Sequence, residues 1–488
     1  MKDSRPADIV FRNATVVDGT GAAGFVADVA IADDRILAVG MLASSRAASE
    51  IDAKGKVLAP GFIDVHTHDD FVLLSKPDMT PKISQGVTTV VVGNCGVSLA
   101  PLDVRGRPPA PLDLVAGDDQ WHFANFKRYF SALGSDPSAV NSVSLVGHST
   151  LRFGAMDRLD RPATNAEIKG MRGALEEGLD AGAIGFSTGL AYKTAIAAPT
   201  EEVIEISRAL TAYEALYVTH MRNEGDGIIG SLEETFAIGR AAKVPVVISH
   251  HKVAGAPNFG RSKETLPVIA TASKSQRVGF DVYPYPASST VLSADMIERS
   301  RKTLVAWSKQ RPEFAGRDLK DVAAAMGCSQ VEAIERLLPA GGIYFAMDED
   351  DVQRIMAFPD AMIGSDGLPN DEHPHPRLWG TFPRVLGHYA RDLGLFPLEH
   401  AVRKMTSLSA HRFGLKDRGV IREGAFADLV LFDSKAIIDR ATFENPTQPA
   451  AGVALVMVNG RIAWRDGAHT GARAGRALRR QTLDRPMA

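Results

Sequence analysis

The chain has 488 residues, of which 45% are hydrophobic and 23% are charged, and its formal net charge is −3. This charge gives no reason to expect a nucleic acid or an anionic membrane as a partner. The initial segment MKDSRPADIVF has no apolar run typical of a secretion signal, and no stretch of about 18 apolar residues is present to span a membrane. Two cysteines exclude a disulfide framework, so we expect a cytoplasmic protein. The oligomeric state is not predicted.

Both ends of the chain carry patterns of short β-strands. Near the start, DIVFRNATVVDG, ADVAIADDRILAVG and KVLAP alternate or cluster β-forming residues, with turn signals between them. Near the other end, ADLVLFD and VALVMVNGRIAWRDG have the same character, and the second contains an Asn-Gly hairpin turn. We therefore predict one small β-sandwich domain formed by residues 1–60 together with residues 415–480.

The central part of the chain alternates apolar, β-rich runs with helical patterns such as NAEIKGMRGALEEGLDA. This alternation is typical of a parallel sheet, and eight units over about 300 residues predict a (β/α)8 TIM-like barrel at 61–414. The predicted strands are GFIDVHTH (61–68), VTTVVVGNC (87–95), SVSLVGHS (142–149), GAIGFSTG (182–189), LYVTHM (216–221), VPVVISHH (244–251), VGFDVYPY (278–285) and AMIGSDG (361–367).

One connection in this predicted barrel is much longer than the others. Residues 286–360 separate the seventh and eighth predicted strands, which leaves room for a crossover helix and an inserted subdomain. We place the insertion at 286–345 and expect it to serve as a lid over the barrel.

Metal-binding residue types recur where the predicted strands end. Because parallel barrel strands all finish at one rim, these side chains are expected to meet there. Residues two apart on a strand share a face, so His66 and His68 can point together into the barrel mouth. The residues concerned are His66, His68, Cys95, His220, His250, His251 and Asp366. Imidazole, thiolate and carboxylate are zinc ligands, and their clustering predicts a metal site.

Three of the residues at strand ends also have simpler interpretations. Taken alone, Cys95 would be a small core residue, because free cysteine is among the most buried residue types. The nearby ligand candidates favour a metal instead, and the glycines beside Cys95 would let the backbone and an ion approach closely. His251 should point away from the side of its strand that carries His250, which favours packing. For His148, a place near the metal and a structural role are equally good interpretations.

The motifs around these residues resemble a known family. GFIDVHTH together with a terminal ADLVLFD resembles the amidohydrolase superfamily of metal-dependent barrel hydrolases. More narrowly, seven further motifs resemble the N-acyl-D-amino acid deacylases, also called D-aminoacylases. These motifs are GNCGVSLAPL, VGHSTLR, THMRNEG, EETFAIGR, VISHHK, DVYPY and GSDGLPNDEHPHPRLWGTFPRVLGHY. The likeness extends over nearly the whole chain, and the motifs around Cys95 and GSDG are specific to this branch.

The resemblance implies where metal would bind. It implies zinc held tightly by Cys95, His220 and His250. It also implies a second, weaker metal position near His66, His68 and Asp366. The Cys95 thiolate would be able to bridge the two metals. The wider superfamily often bridges its metals with a carboxylated lysine on the fourth strand. The tip of that strand here, FSTG, has no lysine, which disfavours the hydantoinase and dihydroorotase branches.

The resemblance also implies the residues that hold the substrate, which are Lys252, Tyr283, Ser289 and Arg377. The Arg377 guanidinium suits a carboxylate because it presents a rigid pair of donors. Tyr283 ends the seventh predicted strand, where its hydroxyl is expected to donate to the carbonyl oxygen of the scissile amide.

Together these features predict zinc-dependent hydrolysis of a small N-acyl-D-amino acid to a D-amino acid and a carboxylate. Asp366 is the predicted catalytic residue, which takes a proton from water and passes it to the leaving amine. A cyclic amidase of the hydantoinase type is the alternative, since the same barrel and metal chemistry would serve it. A catalytically silent barrel scaffold is less favoured, because silent relatives are expected to lack some ligands.

Overall fold

The computed structural model describes residues 6–42 and 47–480. The strands in this part of the chain are β1 (Ala7–Val16), β2 (Phe25–Ala32), β3 (Arg35–Gly40), β4 (Ala47–Asp52), β5 (Val57–Pro60), β6 (Phe62–Asp64), β7 (Val87–Val92), β8 (Leu102–Asp103), β9 (His122–Phe123), β10 (Asn141–Gly147), β11 (Gly185–Gly189), β12 (Leu216–His220), β13 (Val246–Ile248), β14 (Val278–Val282), β15 (Ser288–Val291), β16 (Thr303–Ser308), β17 (Ala340–Tyr344), β18 (Ala361–Ile363), β19 (Leu429–Phe432), β20 (Val453–Val458), β21 (Arg461–Arg465) and β22 (Ala468–His469).

The α-helices are α1 (Val72–Ser75), α2 (Thr80–Ile83), α3 (Phe126–Ser135), α4 (His148–Ala155), α5 (Asn165–Ala181), α6 (Thr200–Ser207), α7 (Ile228–Ala242), α8 (Ser262–Ala272), α9 (Ala294–Ile297), α10 (Leu319–Met326), α11 (Gln330–Leu337), α12 (Glu349–Ala357), α13 (Arg377–Arg384), α14 (Leu398–Met405) and α15 (Ser407–Arg412). Short 3₁₀ segments lie at Leu112–Leu114, Arg208–Tyr213, Ala256–Asn258 and Pro312–Phe314, and a π-helical segment lies at Val385–Asp392. Across residues 6–42 and 47–480, none of the helices combines the length and apolar character that crossing a membrane requires.

A parallel sheet at the centre of the molecule forms the barrel. Within the described residues it contains eight strands, in the order β18-β14-β13-β12-β11-β10-β7-β6. Every neighbouring pair in this order is parallel. The two strands at the ends of the order approach each other through a bridge between Thr67 and Gly367, so the sheet closes on itself. The predicted TIM-like barrel is confirmed.

The barrel strands form where the chain is apolar and β-branched. All six residues of β7, VTTVVV, are buried, as expected for a strand that has helices on one face and packed side chains on the other. One core cluster fills the space between strands and includes Ile63, Val91, Leu145, Val218 and Met362. Outside the barrel, α5 begins with a capping box in which Thr164 and Glu167 each bond the backbone of the other.

Of the eight barrel strands in the described residues, seven end earlier than the sequence pattern predicted, and β11 ends at residue 189 as predicted. β6 ends at residue 64 rather than 68, and β7 ends at residue 92 rather than 95. Several metal-binding residue types therefore lie on turns just beyond the strands. The reason is local, because Cys95, His250 and Asp366 have φ angles of 54°, 36° and 51°, which a strand does not contain.

A second large sheet combines strands from both ends of the chain. Among the described residues its order is β22-β21-β20-β19-β5-β1-β2-β3, with β4 paired to β1. β19 from the C-terminal part pairs antiparallel with β5 from the N-terminal part. Apolar side chains from both parts share one core, which includes Phe11, Val29, Leu429 and Met457. A small β domain built by both ends is confirmed, and its boundaries at 1–60 and 415–480 are our proposal.

The segment between β14 and β18 has a sheet and a core of its own. In this part of the described chain, β15, β17 and β16 form an antiparallel sheet, accompanied by α9, α10 and α11. Its core includes Leu292, Val305, Leu319 and Ile334. These contacts support an insertion at 286–345, whose boundaries and lid role stay predictions.

Candidate metal centre

Nitrogen and sulfur donors meet at the C-terminal rim of the barrel. The Cys95 sulfur lies 3.2 Å from His66 Nε2 and 3.4 Å from His250 Nε2. His250 Nε2 in turn lies 3.1 Å from His220 Nδ1. The strand ends of β6, β7, β12 and β13 therefore contribute to one continuous cluster of donor atoms.

Asp366 joins this cluster on the side of the first barrel strand. Its Oδ1 lies 3.2 Å from His68 Nε2 and 3.4 Å from His66 Nε2. His66 is fully buried, and His68 and Asp366 are 6% and 7% exposed. The structure thus brings together all six residues that the sequence proposed as metal ligands, and their individual roles remain a prediction.

The spacing and chemistry of these donors fit a zinc ion. Zinc takes nitrogen, sulfur and oxygen donors at roughly 2.0–2.3 Å in a tetrahedron, so that neighbouring donors lie about 3.4 Å apart. The separations along the cluster run from 3.1 to 3.4 Å. Four of the donor residues, His66, Cys95, His250 and Asp366, lie close enough together to share one ion.

Three of the candidate ligands have a strained backbone. Cys95, His250 and Asp366 all adopt positive φ angles, which non-glycine residues rarely do. Such conformations cost of the order of 1–3 kcal/mol each, and they cluster at functional sites where surrounding contacts impose them. The strain is evidence that the fold holds these side chains for a purpose other than packing.

The glycines beside Cys95 lie where backbone segments approach each other closely, as the sequence predicted. Gly93 has a φ of 81°, and a Cβ there would lie 2.2 Å from the carbonyl oxygen of Leu145. Gly96 has a φ of 77°, and a Cβ there would lie 2.8 Å from the backbone nitrogen of Gly189. Both glycines therefore allow neighbouring strand ends to approach, which agrees with the predicted approach of the backbone, and the approach of an ion stays a prediction.

Nearby charges favour the anionic forms of two candidate ligands. Burial opposes ionisation of Cys95, but His66 and His250 lower the pKa of its thiol well below the usual value. Burial also opposes ionisation of Asp366, but Arg377 and His250 lower the pKa of its carboxyl well below the usual value. Thiolate and carboxylate are the forms that bind a cation.

Asp281 supports the cluster from the seventh barrel strand. Its Oδ1 accepts a hydrogen bond from the backbone nitrogen of His250 at 3.0 Å and lies 3.5 Å from His66 Nδ1. Carboxylates behind metal-binding histidines fix the orientation of the rings. Sequence reasoning missed Asp281, although a lone acidic residue within the apolar run VGFDV was a signal for it.

Glu224 is a second residue that sequence reasoning missed. Its Oε1 lies 3.1 Å from His250 Nδ1 and 2.6 Å from the Lys252 ammonium, and its Oε2 lies 3.8 Å from His220 Nε2. Burial opposes ionisation of Glu224, but Lys252 and the two histidines lower its pKa far below the usual value. With His220 and His250 it forms a further group able to hold a metal. The available signal was its place in THMRNEG, four residues after His220.

The predicted substrate-binding residues lie beside the cluster. Arg377 Nη1 is 2.9 Å from Asp366 Oδ2, and Nη2 donates to the carbonyl oxygen of Ser289 at 3.1 Å. The Arg377 guanidinium lies 4.5 Å and the Lys252 ammonium 5.6 Å from the centre of the Tyr283 ring. Two positive charges are thus grouped around the Tyr283 ring. Lys252, Tyr283, Ser289 and Arg377 are all buried, and their roles toward a substrate stay predictions.

Two other histidines at strand ends contact the surrounding structure instead. His251 Nε2 lies 2.9 Å from the Thr265 hydroxyl, and its ring packs edge-on against Phe280. His148 Nε2 lies 3.1 Å from Glu202 Oε1. These contacts support a packing role for His251 and a structural role for His148.

Comparison with known proteins agrees with this geometry. Residues 49–463 match the model of the amidohydrolase family. The chain is 56% identical over 480 residues to D-aminoacylase from Alcaligenes xylosoxydans xylosoxydans. The matched region covers 98% of this chain and 99% of that protein.

Solved structures are similar over the same extent. A solved structure of D-aminoacylase is 56% identical, and the match covers 97% of this chain and 100% of that chain with a TM-score of 0.96. The binuclear metal centre of that D-aminoacylase shows activation by one metal and attenuation by a second. The N-acyl-D-glutamate deacylase from Bordetella bronchiseptica, complexed with zinc and a phosphonate mimic of the tetrahedral intermediate, is 45% identical, with the same coverage and a TM-score of 0.94. From the family match and these likenesses over almost the whole length, we conclude that the chain belongs to the amidohydrolase family.

Proposed function

We propose that this protein is a zinc-dependent N-acyl-D-amino acid deacylase, which hydrolyses its substrate to a D-amino acid and a carboxylate. The observation that carries the proposal is the contact between a buried zinc-type donor cluster and the Arg377 guanidinium, which meet at Asp366. The 56% identity to D-aminoacylase supports it.

The proposed assignment of the metal ligands is the one that the resemblance to the D-aminoacylases implies, and the meeting of all six residues in one cluster supports it. Cys95, His220 and His250 would hold a zinc ion, and a bound zinc ion supplies a Lewis acid that polarises a carbonyl and acidifies water. The residues that would hold a second ion are His66, His68 and Asp366.

The reaction also needs a group that moves protons. The position of the Asp366 carboxylate within the donor cluster supports Asp366 as the group that accepts a proton from the attacking water. The same carboxylic acid then returns the proton to the nitrogen of the leaving amine. The Lys252 ammonium and the Arg377 guanidinium lie 5.6 Å and 4.5 Å from the centre of the Tyr283 ring, which supports a role for Lys252 in holding the substrate and for the Tyr283 hydroxyl in donating to the oxyanion.

The preference for the D configuration follows from two fixed contacts. In this proposal Arg377, whose Nη1 lies 2.9 Å from Asp366 and whose Nη2 donates to the Ser289 carbonyl oxygen, binds the α-carboxylate with its remaining N–H groups, while the amide must reach the donor cluster around Cys95. With both ends of the substrate held, only one hand of the α-carbon leaves its side chain in free space. We propose that this hand is D.

The fourth barrel strand supports linear amides over the cyclic alternative. β11 has the sequence GFSTG, without a lysine. In its place Ser187 donates to the carbonyl oxygen of Gly93 and accepts from the backbone nitrogen of Gly96, so it braces the turn that carries Cys95.

A substrate panel tests the proposal. Purified protein is supplied with N-acetylated D- and L-forms of methionine, leucine, glutamate and aspartate, and separately with a hydantoin, before and after chelation and zinc re-addition. We expect zinc-restored release of D-amino acids alone. Ring opening of the hydantoin without deacylation would favour the cyclic amidase, and no zinc-restored activity on any compound would favour the silent scaffold.

We also propose a cytoplasmic location, since both cysteines, Cys95 and Cys328, are free and a reducing compartment suits them. Fractionation of cells that express the full chain tests this. Recovery of the activity outside the cytoplasmic fraction would contradict it.

A further inference from the structure

A buried lysine lies behind the donor cluster at the point where the barrel closes. Lys82 Nζ lies 2.8 Å from Asp64 Oδ2, 3.3 Å from Asp69 Oδ2 and 2.9 Å from the Ser365 hydroxyl. The side chains of Lys82 and Asp69 are 1% exposed, and that of Asp64 is fully buried. The Lys82 ammonium has no part in the proposed substrate chemistry.

Within the described part of the chain, the barrel closes here without a ladder between its two end strands. Among the described residues, β6 and β18 are the two ends of the sheet order and share no ladder. The backbones meet through the bridge between Thr67 and Gly367 and through the hydrogen bond from the Asp366 nitrogen to the His66 carbonyl at 2.8 Å. Gly364 lies so close to β6 that a Cβ there would be 2.6 Å from the Cβ of His66.

Each partner of Lys82 is next to a candidate metal ligand. Asp64 precedes His66 by two residues, Asp69 follows His68 directly, and Ser365 precedes Asp366 directly. Asp64 also accepts a hydrogen bond from the Ser365 backbone nitrogen at 2.8 Å, so it connects both sides of the closure by itself. Lys82 therefore contacts the backbone neighbours of all three ligands of the predicted second position.

The other ligands have separate support. His250 is held by Asp281 and Lys252, and the turn that carries Cys95 is held by Ser187. In the described residues, the network around Lys82 makes no hydrogen bond to Cys95, His220 or His250. A change at Lys82 should therefore act on one half of the cluster and spare the other.

We propose that Lys82 is a positioning residue for Asp366 and the two histidines of the first barrel strand. Removing its ammonium leaves two buried carboxylates facing each other and frees Ser365, so that β18 shifts relative to β6 and Asp366 loses its place. The inference rests on the proposed function, because it assigns Asp366 the proton transfer. It predicts a defect in turnover and in the second metal position, with the tight zinc retained.

The test compares Lys82→Met with Lys404→Met. Lys404 is a matched control, because it is also a buried lysine, 3% exposed, but donates to the carbonyl oxygens of Phe358 and Pro359 away from the cluster. Each purified variant is assayed for kcat and KM on N-acetyl-D-methionine. Its zinc content is measured after exhaustive dialysis and again during zinc titration by equilibrium dialysis.

For Lys82→Met we expect one retained zinc ion, a KM near that of wild type and a kcat about 100-fold lower, since a shift of about 1 Å in a reacting group has this effect. The zinc concentration that fills the second position should rise about tenfold or more. Lys404→Met should match wild type in all of these quantities. Equal kcat and equal second-site binding in the two variants would overturn the proposal, and so would loss of the tight zinc in Lys82→Met.

Ser365→Ala provides the answer if Lys82→Met does not fold. It removes the hydroxyl that Lys82 contacts, which also accepts from the Gly367 backbone nitrogen and donates to the His66 carbonyl oxygen, and we expect a smaller loss of kcat and of second-site zinc affinity, with the tight zinc unchanged. Wild-type values for both quantities in Ser365→Ala would overturn the proposal. If the wild-type protein hydrolyses no N-acyl amino acid, the proposed function fails, whereas the zinc titrations still decide the role of Lys82.

Discussion

Glu224 connects the predicted tight zinc ligands to the predicted substrate-binding lysine. One carboxylate faces His250 Nδ1, His220 Nε2 and the Lys252 ammonium. A histidine whose second nitrogen faces a carboxylate is held in one tautomer and becomes a better ligand. Glu224 should therefore affect metal binding even without touching the ion.

We predict that Glu224→Gln weakens zinc binding about 10- to 100-fold, the usual effect of losing such a carboxylate. Competition against a chelator of known affinity measures the change. Glu234→Gln is the control, because Glu234 pairs with Arg222 at 2.8 Å and, in the described part of the chain, forms no hydrogen bond or ion pair with a donor residue of the cluster. Equal zinc affinity in the two variants would show that Glu224 serves only Lys252.

We predict that Asp366→Asn separates metal binding from turnover. The amide cannot carry a proton from water to the leaving amine, so kcat should fall roughly 100- to 10,000-fold. The tight zinc should remain, since Cys95, His220 and His250 are unchanged. Elemental analysis and the deacylation assay on the same sample measure both quantities, and near-normal turnover would remove Asp366 from the proton transfer.

The insertion contacts the barrel through charged and aromatic groups. Lys309 lies 2.6 Å from Asp118, and Arg107 lies 3.4 Å from the same carboxylate, with its guanidinium 5.1 Å from the centre of the Trp307 ring. A cavity of about 350 Å³ separates the two layers here. The residues that line it include Asp113, Asn370, Asp371 and Glu372. A polar junction of this kind is suited to opening.

We expect this junction to respond to pH through Asp371. Burial raises the pKa of its carboxyl to about 7, although Arg377 opposes the shift. An exposed aspartate has a pKa of about 3.9, so an open insertion binds this proton less tightly than a closed one. The closed form is therefore favoured at low pH, and this contribution is lost as the pH rises from about 4 through 7.

We predict that hydrogen exchange in residues 286–345, corrected for the intrinsic rate, is faster at pH 8 than at pH 5. Asp371→Asn should remove most of this difference, because the amide does not titrate. The long helix α5, on the outside of the barrel, serves as the internal control and should show the same protection at both pH values. A difference that persists in Asp371→Asn would assign the effect to Asp113, whose pKa burial also raises.

The elements that the sequence predicted correctly are those with a strong local pattern. All eight barrel strands were found, because each is an apolar run bounded by turns or helical segments. The ends of all of them except β11 were placed too late, since a left-handed residue such as Cys95 or Asp366 leaves no mark on hydrophobic periodicity. The ligand candidates were found despite this error, because residue type and strand order were enough to bring them to one rim.

The supporting charges could not be found in the same way. Lys82 and Ser365 are 283 positions apart, and Asp281 and His250 are 31 apart. A single charged residue in the sequence does not show which distant group it will face after folding. Sequence reasoning therefore reached the donor atoms of the site and missed the residues that hold them.

At the scale of the whole molecule, a buried polar network joins the barrel to the terminal sheet. Arg418 pairs with Asp428 in front of β19, and Asp428 Oδ2 accepts from the Asn141 amide at 3.2 Å, at the start of β10. Asn459 completes the network with hydrogen bonds to Asn141 at 2.7 Å and from Arg418 at 2.9 Å. Because every member is buried, each depends on the others for its partners.

We predict that Asp428→Ala lowers the free energy of unfolding by about 3–5 kcal/mol, because it leaves the buried Arg418 without its counter-charge. Urea denaturation followed by circular dichroism measures the loss. Asp157→Ala is the control, since Asp157 pairs with Arg161 but its side chain is 75% exposed, and its midpoint should stay near that of wild type. The network lies at the start of β10 and the donor cluster at the opposite rim, so kcat of folded Asp428→Ala should be unchanged. A variant as stable as Asp157→Ala would mean that the terminal sheet and the barrel are held together by their apolar contacts alone.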